Sequence, residues 1–224
     1  MGTEKIAVKK PRGKGPNRGD GWQAEKSAMT RTAILEAAIS CFVEHGYGQT
    51  TTSLIAEHAG VSRGAMMHHF PSRIAVIMAV VEYLHAKRLE EYRSLMAGID
   101  RPDAKLTPED IRRSVKYAWR YVNLPSFVAY QELLTAARTD PELREVLQKT
   151  ERDVETMFLE TVKQVFPHLK NLNTLELAND MIQFTMRGMA MSHMASRRQQ
   201  RAKRMINQLS DELVRLYREE GLDI

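Results

Sequence analysis

Apolar residues recur at three- and four-residue spacing along most of the chain, and no Val/Ile/Thr-rich segment alternates with the two-residue period of a strand. The pattern predicts an all-helical protein. Across positions 51–70 the helices become short. Ile55, Ala56 and Ala59 give one helix a small apolar face, and Thr51 and Thr52 offer hydroxyls to cap its start. Gly60 supplies a left-handed turn. Ser62 can cap a second short helix, whose Met66 and Phe70, with Val61 before it, point back into a miniature core while Arg63, Gly64 and Ala65 lie on its exposed first turn. Two short helices joined by a tight glycine turn make a helix-turn-helix.

The elements that follow are longer. Pro71 and Ser72 open a helix running through Ile74, Ile77, Met78, Val81, Leu84 and Leu89 toward Gly98, and Asp100-Arg101-Pro102-Asp103 breaks it. Thr107-Pro108-Glu109-Asp110 then combines a cap, a first-turn proline and acids near the positive helix end, ahead of the stripe Ile111, Val115, Trp119 and Val122. Pro125 begins another helix. Asp140-Pro141-Glu142 repeats the start for a helix carrying Leu143, Val146, Leu147, Val154, Met157, Phe158, Val162 and Val165. The last two helices are the most apolar. Leu177, Met181, Phe184, Gly188 and Met191 form one stripe, and Ala178, Ile182 and Met189 a second. The final helix adds Met205, Leu209, Leu213, Leu216 and Tyr217. One stripe serves a core, whereas two call for a second partner. Either both stripes close on their own chain, or they build a four-helix bundle between two copies, with Gly188 and Ala195 allowing close approach.

The chemistry of the second short helix sharpens the picture. A structural hairpin would carry mixed Glu and Lys on its solvent face, but this helix carries Arg63, His68 and His69 and no acid. That composition suits a helix that reads DNA. Residues 29–77 moreover resemble the N-terminal domain of the tetracycline-repressor (TetR) family of transcriptional regulators. The resemblance rests on Phe42-Val43-Glu44-His45-Gly46-Tyr47, Thr51-Thr52, Ile55-Ala56, Ala59-Gly60-Val61-Ser62, Gly64, and His69-Phe70 followed by the basic Arg73. Two positions depart from the family pattern. Met67 stands where the family typically has a phosphate-contacting tyrosine, and Arg73 where it more often has lysine.

The resemblance implies an N-terminal three-helix helix-turn-helix domain joined to a larger helical domain for ligand binding and dimerisation. It also implies double-stranded DNA and a second copy of the chain as partners, because two hairpins related by a two-fold axis read successive major-groove faces of a palindrome. In that scheme Thr51, Thr52 and the helix-start backbone hold phosphates, Arg63 reaches a guanine edge and Ala65 a thymine methyl, and Gly64 lets the backbone come close. Met67 and Arg73 fall at backbone-contact positions. His68 meets phosphate or base, and His69 either does the same or anchors the hairpin locally. The dimer interface is expected at Leu177, Met181, Gly188, Met189, Met191, Ala195, Leu209, Leu213, Leu216 and Tyr217. The resemblance places Trp119, Phe127, Tyr130, Met157, Phe158, Met181, Phe184 and Met186 around a cavity for a small effector, although aromatic and Met stripes at helical spacing also serve as core. Gln131, Glu132, Arg138, Arg187 and His193 are polar groups that can orient an otherwise apolar molecule.

Composition agrees with this reading and narrows it. The chain has 224 residues, 43% of them hydrophobic, enough for a sizeable core. Its formal charge of +5 is concentrated at the start, where residues 1–26 hold seven Lys/Arg against three Asp/Glu in a Gly- and Pro-rich stretch without apolar periodicity. Those residues read as a flexible basic tail, either a solubilising extension or an arm that neutralises phosphates. Residues 27–75, the expected DNA-binding domain, hold three Arg against three Glu, so a basic face there depends on placement. Residues 76–224 form the second domain. Between its last two helices, Arg197, Arg198, Arg201, Lys203 and Arg204 suit the negative end of the preceding helix.

The one cysteine, Cys41, shares a helix face with Ile34, Ala38 and Phe42 and reads as core filler. No apolar run approaches a membrane span, and a cytoplasmic protein is expected. His58, His68 and His69 come without a His-Glu-x-x-His pattern or paired cysteines, and neither a phosphate-binding glycine loop nor a nucleophile elbow is present, so no enzyme activity, metal or cofactor is expected. The favoured function is a homodimeric repressor of a palindromic operator, released by a small apolar or aromatic ligand. The alternative is a non-enzymatic helical interaction module with a basic tail.

Overall fold

A computed structural model describes residues 18–96, 107–148, 156, 160, 172–192 and 198–220, and every regular element among them is a helix. Helix α1 (Arg18–Gln49) buries Ile34, Ala38, Cys41 and Phe42 on one face, as their spacing predicts. Burial pushes the Cys41 thiol up, with Glu44 adding to the effect, which suits an inert filler. At Gly46 the backbone leaves the helix with φ 74°, a left-handed conformation open to glycine, and Thr50 Oγ1 donates to the Gly46 carbonyl at 2.8 Å to close the turn. Helices α2 (Thr52–His58) and α3 (Arg63–His69) follow, and then α4 (Arg73–Met96), at whose start Ser72 Oγ accepts the Ala75 N–H.

Helix α5 (Pro108–Tyr121) begins with the expected cap and proline. Thr107 Oγ1 accepts the Asp110 N–H at 3.2 Å and the Asp110 carboxylate accepts the Thr107 N–H at 3.1 Å, a reciprocal capping box. Helix α6 (Pro125–Ala136) starts at its proline, and α7 (residues 141–148) is capped by Asp140, whose Oδ1 accepts the Leu143 N–H at 3.0 Å. The last helices are α8 (Leu172–Met191) and α9 (Arg198–Glu219).

Two apolar cores organise these helices. The first joins Ile34 and Phe42 of α1, Ile55 of α2, Met66 and the adjacent Phe70, Val80 and Leu84 of α4, Leu133 of α6, and Leu143 and Leu147 of α7. It therefore crosses the boundary expected at residues 75 and 76. The hairpin shares its core with α6 and α7 because α1 packs lengthwise on α6. The second core gathers Ile111 and Val115 of α5, Phe127 of α6, Ala178 and Met186 of α8, and Ile206, Leu209, Leu213 and Tyr217 of α9.

Three expectations are corrected. Residues 18–26, assigned to the tail, extend α1: the Lys26 ammonium lies 5.3 Å from the Trp22 ring centroid and Thr30 Oγ1 donates to the Lys26 carbonyl, so one-turn contacts prolong a helix anchored further on. Leu209, Leu213 and Tyr217, expected between copies, are buried in their own chain because α9 turns that stripe onto α5 and α8. Phe184, expected in a ligand cavity, is 69% exposed, since the stripe Ala178, Ile182, Met186 and Met189 faces inward and leaves Phe184 on the opposite side of α8. Met157, Phe158, His193 and Ala195 lie outside the described residues, as do residues 1–17.

Candidate nucleic-acid interface

The short hairpin is held by caps at both helix starts. Thr51 Oγ1 accepts the Leu54 N–H at 3.2 Å, and Ser62 Oγ accepts the Ala65 N–H at 3.1 Å. Between the helices Gly60 adopts φ 65°, and its N–H donates to the Glu57 carbonyl at 3.0 Å. Ile55 and Ala56 of α2 and Met66 of α3 are buried, and Val61 packs against the same core. What this leaves outside is the face that sequence chemistry singles out. Thr51, Arg63, Gly64, Met67 and His68 are exposed, Thr52, Ala65 and His69 are half-buried, and α3 carries no acid. A cation on a helix start that lacks any carboxylate is available to an anionic partner.

The two adjacent histidines differ. His68 projects outward, whereas His69 is half-buried with its ring against both His68 and Phe70, at centroid distances of 5.6 and 6.4 Å. Of the two roles open to His69, that packing favours the local anchor. His58 belongs elsewhere. It meets His45 edge-on at 5.7 Å, and with Glu44 these side chains bring one ligand atom each within 4.8 Å of one another on the exposed ends of α1 and α2.

Arg73 is engaged within the protein. Its Nη1 donates to the Tyr47 hydroxyl at 3.2 Å, its Nη2 donates to the Tyr47 carbonyl at 3.1 Å, and its guanidinium lies 4.4 Å from the Tyr47 ring centroid. Tyr47 in turn donates its hydroxyl to Asp140 Oδ2 at 2.8 Å and its N–H to Glu132 Oε1 at 3.2 Å. Burial and the bond to Asp140 push the Tyr47 phenol up, while the bonds from Leu143 and Tyr47 hold the Asp140 carboxyl below the usual carboxylate range. This latch ties the end of α1 and the start of α4 to α6 and α7. Tyr47 was visible in the sequence as part of a motif, but its partners lie 85 and 93 residues away, and no local pattern marks them. A Cβ at Gly46 would sit 3.0 Å from Glu132 Oε1, so the same glycine that turns the chain also lets α6 approach.

The residues expected around an effector separate into three groups. Phe127, Tyr130 and Met186 are fully buried, Tyr130 in the first core and Phe127 and Met186 in the second, against which Met181 packs. Trp119 is half-buried and lines an open groove of about 680 Å³ between α5 and α9, together with Lys116, Asn123 and Lys203. Phe184 faces solvent. Of the residues expected between copies, Leu177 and Met191 are 50% and 58% exposed and Gly188 is exposed, while Met181, Met189 and Leu216 are half-buried. No single helix among the described residues is long and apolar enough to cross a membrane.

Residues 34–80 match the sequence profile of the bacterial regulatory proteins, tetR family. The chain is 35% identical over 143 residues to the HTH-type transcriptional regulator CymR of Pseudomonas putida, a match covering 61% of this chain and 67% of CymR. It is 34% identical over 120 residues to the HTH-type transcriptional repressor AcnR of Corynebacterium efficiens, covering 54% of this chain and 57% of that one. Among solved structures, a TetR-family regulator from Mesorhizobium loti superposes with a TM-score of 0.67 at 15% identity, over 85% of this chain and 98% of that one. At that identity the likeness speaks for the fold.

Proposed function

The chain belongs to the TetR family of transcriptional regulators, and from that premise we propose that it acts as a homodimeric repressor of a palindromic operator, released when a small molecule binds the helical C-terminal half. One observation carries the reading: α3 presents Arg63, Gly64, Met67 and His68 to solvent from a rigidly capped helix with no acid on it. Gly64 supports it further. A Cβ there would meet only Ser62 Oγ at 3.9 Å, so the chain itself has room for a larger residue, and an approaching nucleic-acid backbone is a reason for glycine.

In this mechanism the caps hold α3 rigid, Arg63 donates to a guanine edge, and the exposed Thr51 lies beside the phosphates. Met67 offers no hydrogen-bond donor and Arg73 is held by Tyr47, so backbone contact falls on Thr51, Thr52, His68 and the helix-start amides. Leu177, Phe184, Gly188 and Met191 on one side of α8 supply the contact with the second copy. A Cβ at Gly188 would meet nothing within 4 Å in its own chain, which leaves close helix approach as its use. The effector binds among Phe127, Tyr130, Met181 and Met186. Through α4, which begins in the Arg73–Tyr47 latch, it alters the spacing of the two hairpins, and a difference in affinity between the two states couples it to DNA.

Selection of bound sequences from random duplexes tests this function. A two-fold symmetric site is expected, and Arg63→Ala is expected to relax preference at one base pair per half-site by about 1–3 kcal/mol. Recovery of no enriched sequence would reject a sequence-reading role.

A further inference from the structure

Helix α4 carries a buried cation that the fold does not complete. Arg88 is only 7% exposed. Its Nε donates to the Tyr121 hydroxyl at 3.0 Å, and its guanidinium carbon lies 3.9 Å from the ring centroid of Tyr130 and 5.2 Å from that of Phe127. These rings satisfy the faces of the guanidinium, since aromatic quadrupoles attract a cation placed above them. They do nothing for its edge. The N–H donors lie in the guanidinium plane, and Nη1 is buried with no hydrogen-bond partner. Among the described residues no carboxylate forms an ion pair with Arg88.

The surroundings add positive charge. The guanidinium of Arg187 on α8 lies 5.6 Å from the centroid of the same Phe127 ring. Glu91 is the nearby acid, and its Oε2 is taken by the hydroxyl of the buried Ser126. Burial pushes the Tyr121 phenol up, with Glu91 acting in the same direction and both arginines against it, so two cations and one carboxylate act on this hydroxyl. A desolvated guanidinium with an open donor is costly unless something anionic joins it, and its planar fork matches a carboxylate in bidentate geometry.

We propose that Arg88 anchors a site for a small organic anion, a carboxylate with an apolar body, whose charged end pairs with the open edge of Arg88 and whose body lies against the Phe127 and Met186 side of the second core. This deepens the effector reading above and rests on it. Arg88 stands 15 residues after Arg73 on one continuous helix, about 22 Å away along the axis, so an anion there acts on the far end of the element that enters the Tyr47 latch.

The test uses the full chain and three acid–amide pairs of matched shape, benzoate with benzamide, phenylacetate with phenylacetamide, and octanoate with octanamide, at equal ionic strength. Melting temperature and release of the selected operator are both measured. At least one acid is expected to raise the melting temperature, by roughly 5 °C at a hundredfold excess over its dissociation constant, while its amide does not. Arg88→Lys is expected to weaken that acid about tenfold or more, because it keeps the charge and loses the fork. Arg88→Met is expected to abolish the acid-specific shift while melting no lower than the unliganded parent, an outcome that a purely structural arginine would reverse. Equal responses to acid and amide, no response to any acid, or an acid response that survives in both variants would overturn the site. If a neutral compound alone releases the operator, the anion site fails and the ligand-responsive repressor stands. If an acid shifts melting through Arg88 without releasing DNA, the site stands and the release mechanism fails.

Discussion

Ile34, Phe70, Leu84 and Leu133 in the first core are all 2% exposed or less, whereas on α8, beside the second core, Leu177, Phe184 and Met191 are 50%, 69% and 58% exposed. Both regions are built from helices with apolar stripes. The difference lies in how many faces of each helix find a partner. In the first core, α1 is covered by α2, α4 and α6, so its apolar stripe is closed within one chain. In the second, α8 turns Ala178, Ile182 and Met186 toward α5 and α9 and leaves a parallel stripe without cover among the described residues. The half that holds the hairpin is closed by its own chain; the other half leaves an apolar stripe of α8 open, the face that the proposed dimer uses.

The largest expected effect comes from breaking the closed core. Phe70→Ala removes a ring that is 2% exposed at the end of α3 and is expected to cost about 3–5 kcal/mol, read as a loss of unfolding free energy in urea. Phe184→Ala, the same change on the open face, is expected to leave the stability of the chain within about 0.5 kcal/mol when both are measured at concentrations too low for the proposed dimer to form. Equal losses at the two positions would mean that the open face is packed after all.

A smaller effect is expected at the latch between the regions. Tyr47→Phe keeps the ring and removes the hydroxyl that donates to Asp140 and accepts from Arg73. The loss is expected near 1 kcal/mol, and DNA affinity should fall as well, because the hairpin is then less firmly joined to α6 and α7. Unchanged stability in Tyr47→Phe would remove the latch from the account.

Acid pH probes the same junction most gently. Asp140 is held low by bonds from Leu143 and Tyr47; Glu36 is raised by burial but more strongly lowered by Lys87 and Tyr83. A carboxyl whose folded pKa lies below its unfolded value contributes stability that is present above the unfolded value, about 4, and is lost as pH falls through the folded one. The melting temperature is therefore expected to fall below about pH 4, and Asp140→Asn should shallow that fall. A fall of equal steepness in Asp140→Asn would assign the acid sensitivity elsewhere.

Much of the closed region was legible because its signals are local. Thr51, Ser62 and Asp140 each mark a helix start by a side chain that caps an amide three residues on, and Gly60 marks the turn by the φ it must adopt. The face of α3 followed from the absence of acids. Periodicity also found both stripes of α8, but a period cannot tell which stripe meets its own chain. That is why Phe184 was expected inside and Leu213 between copies, whereas α9 packs Leu213 inward and α8 leaves Phe184 outside. The latch at Tyr47 and the cation at Arg88 were illegible for a different reason. Each draws partners from helices far apart in sequence, and an arginine in a helical stripe reads as solvated until Tyr121, Phe127 and Tyr130 are seen around it.

In the proposed dimer a second copy covers the stripe of α8 that its own chain leaves bare, and the molar mass in solution distinguishes that arrangement from a single chain. Light scattering at micromolar concentration is expected to give twice the 25.6 kDa of one chain, and Phe184→Asp, which places a charge in the middle of the open stripe, is expected to give 25.6 kDa with helical content unchanged. A parent chain that scatters as 25.6 kDa, or a Phe184→Asp variant that remains at twice that mass, would contradict the account.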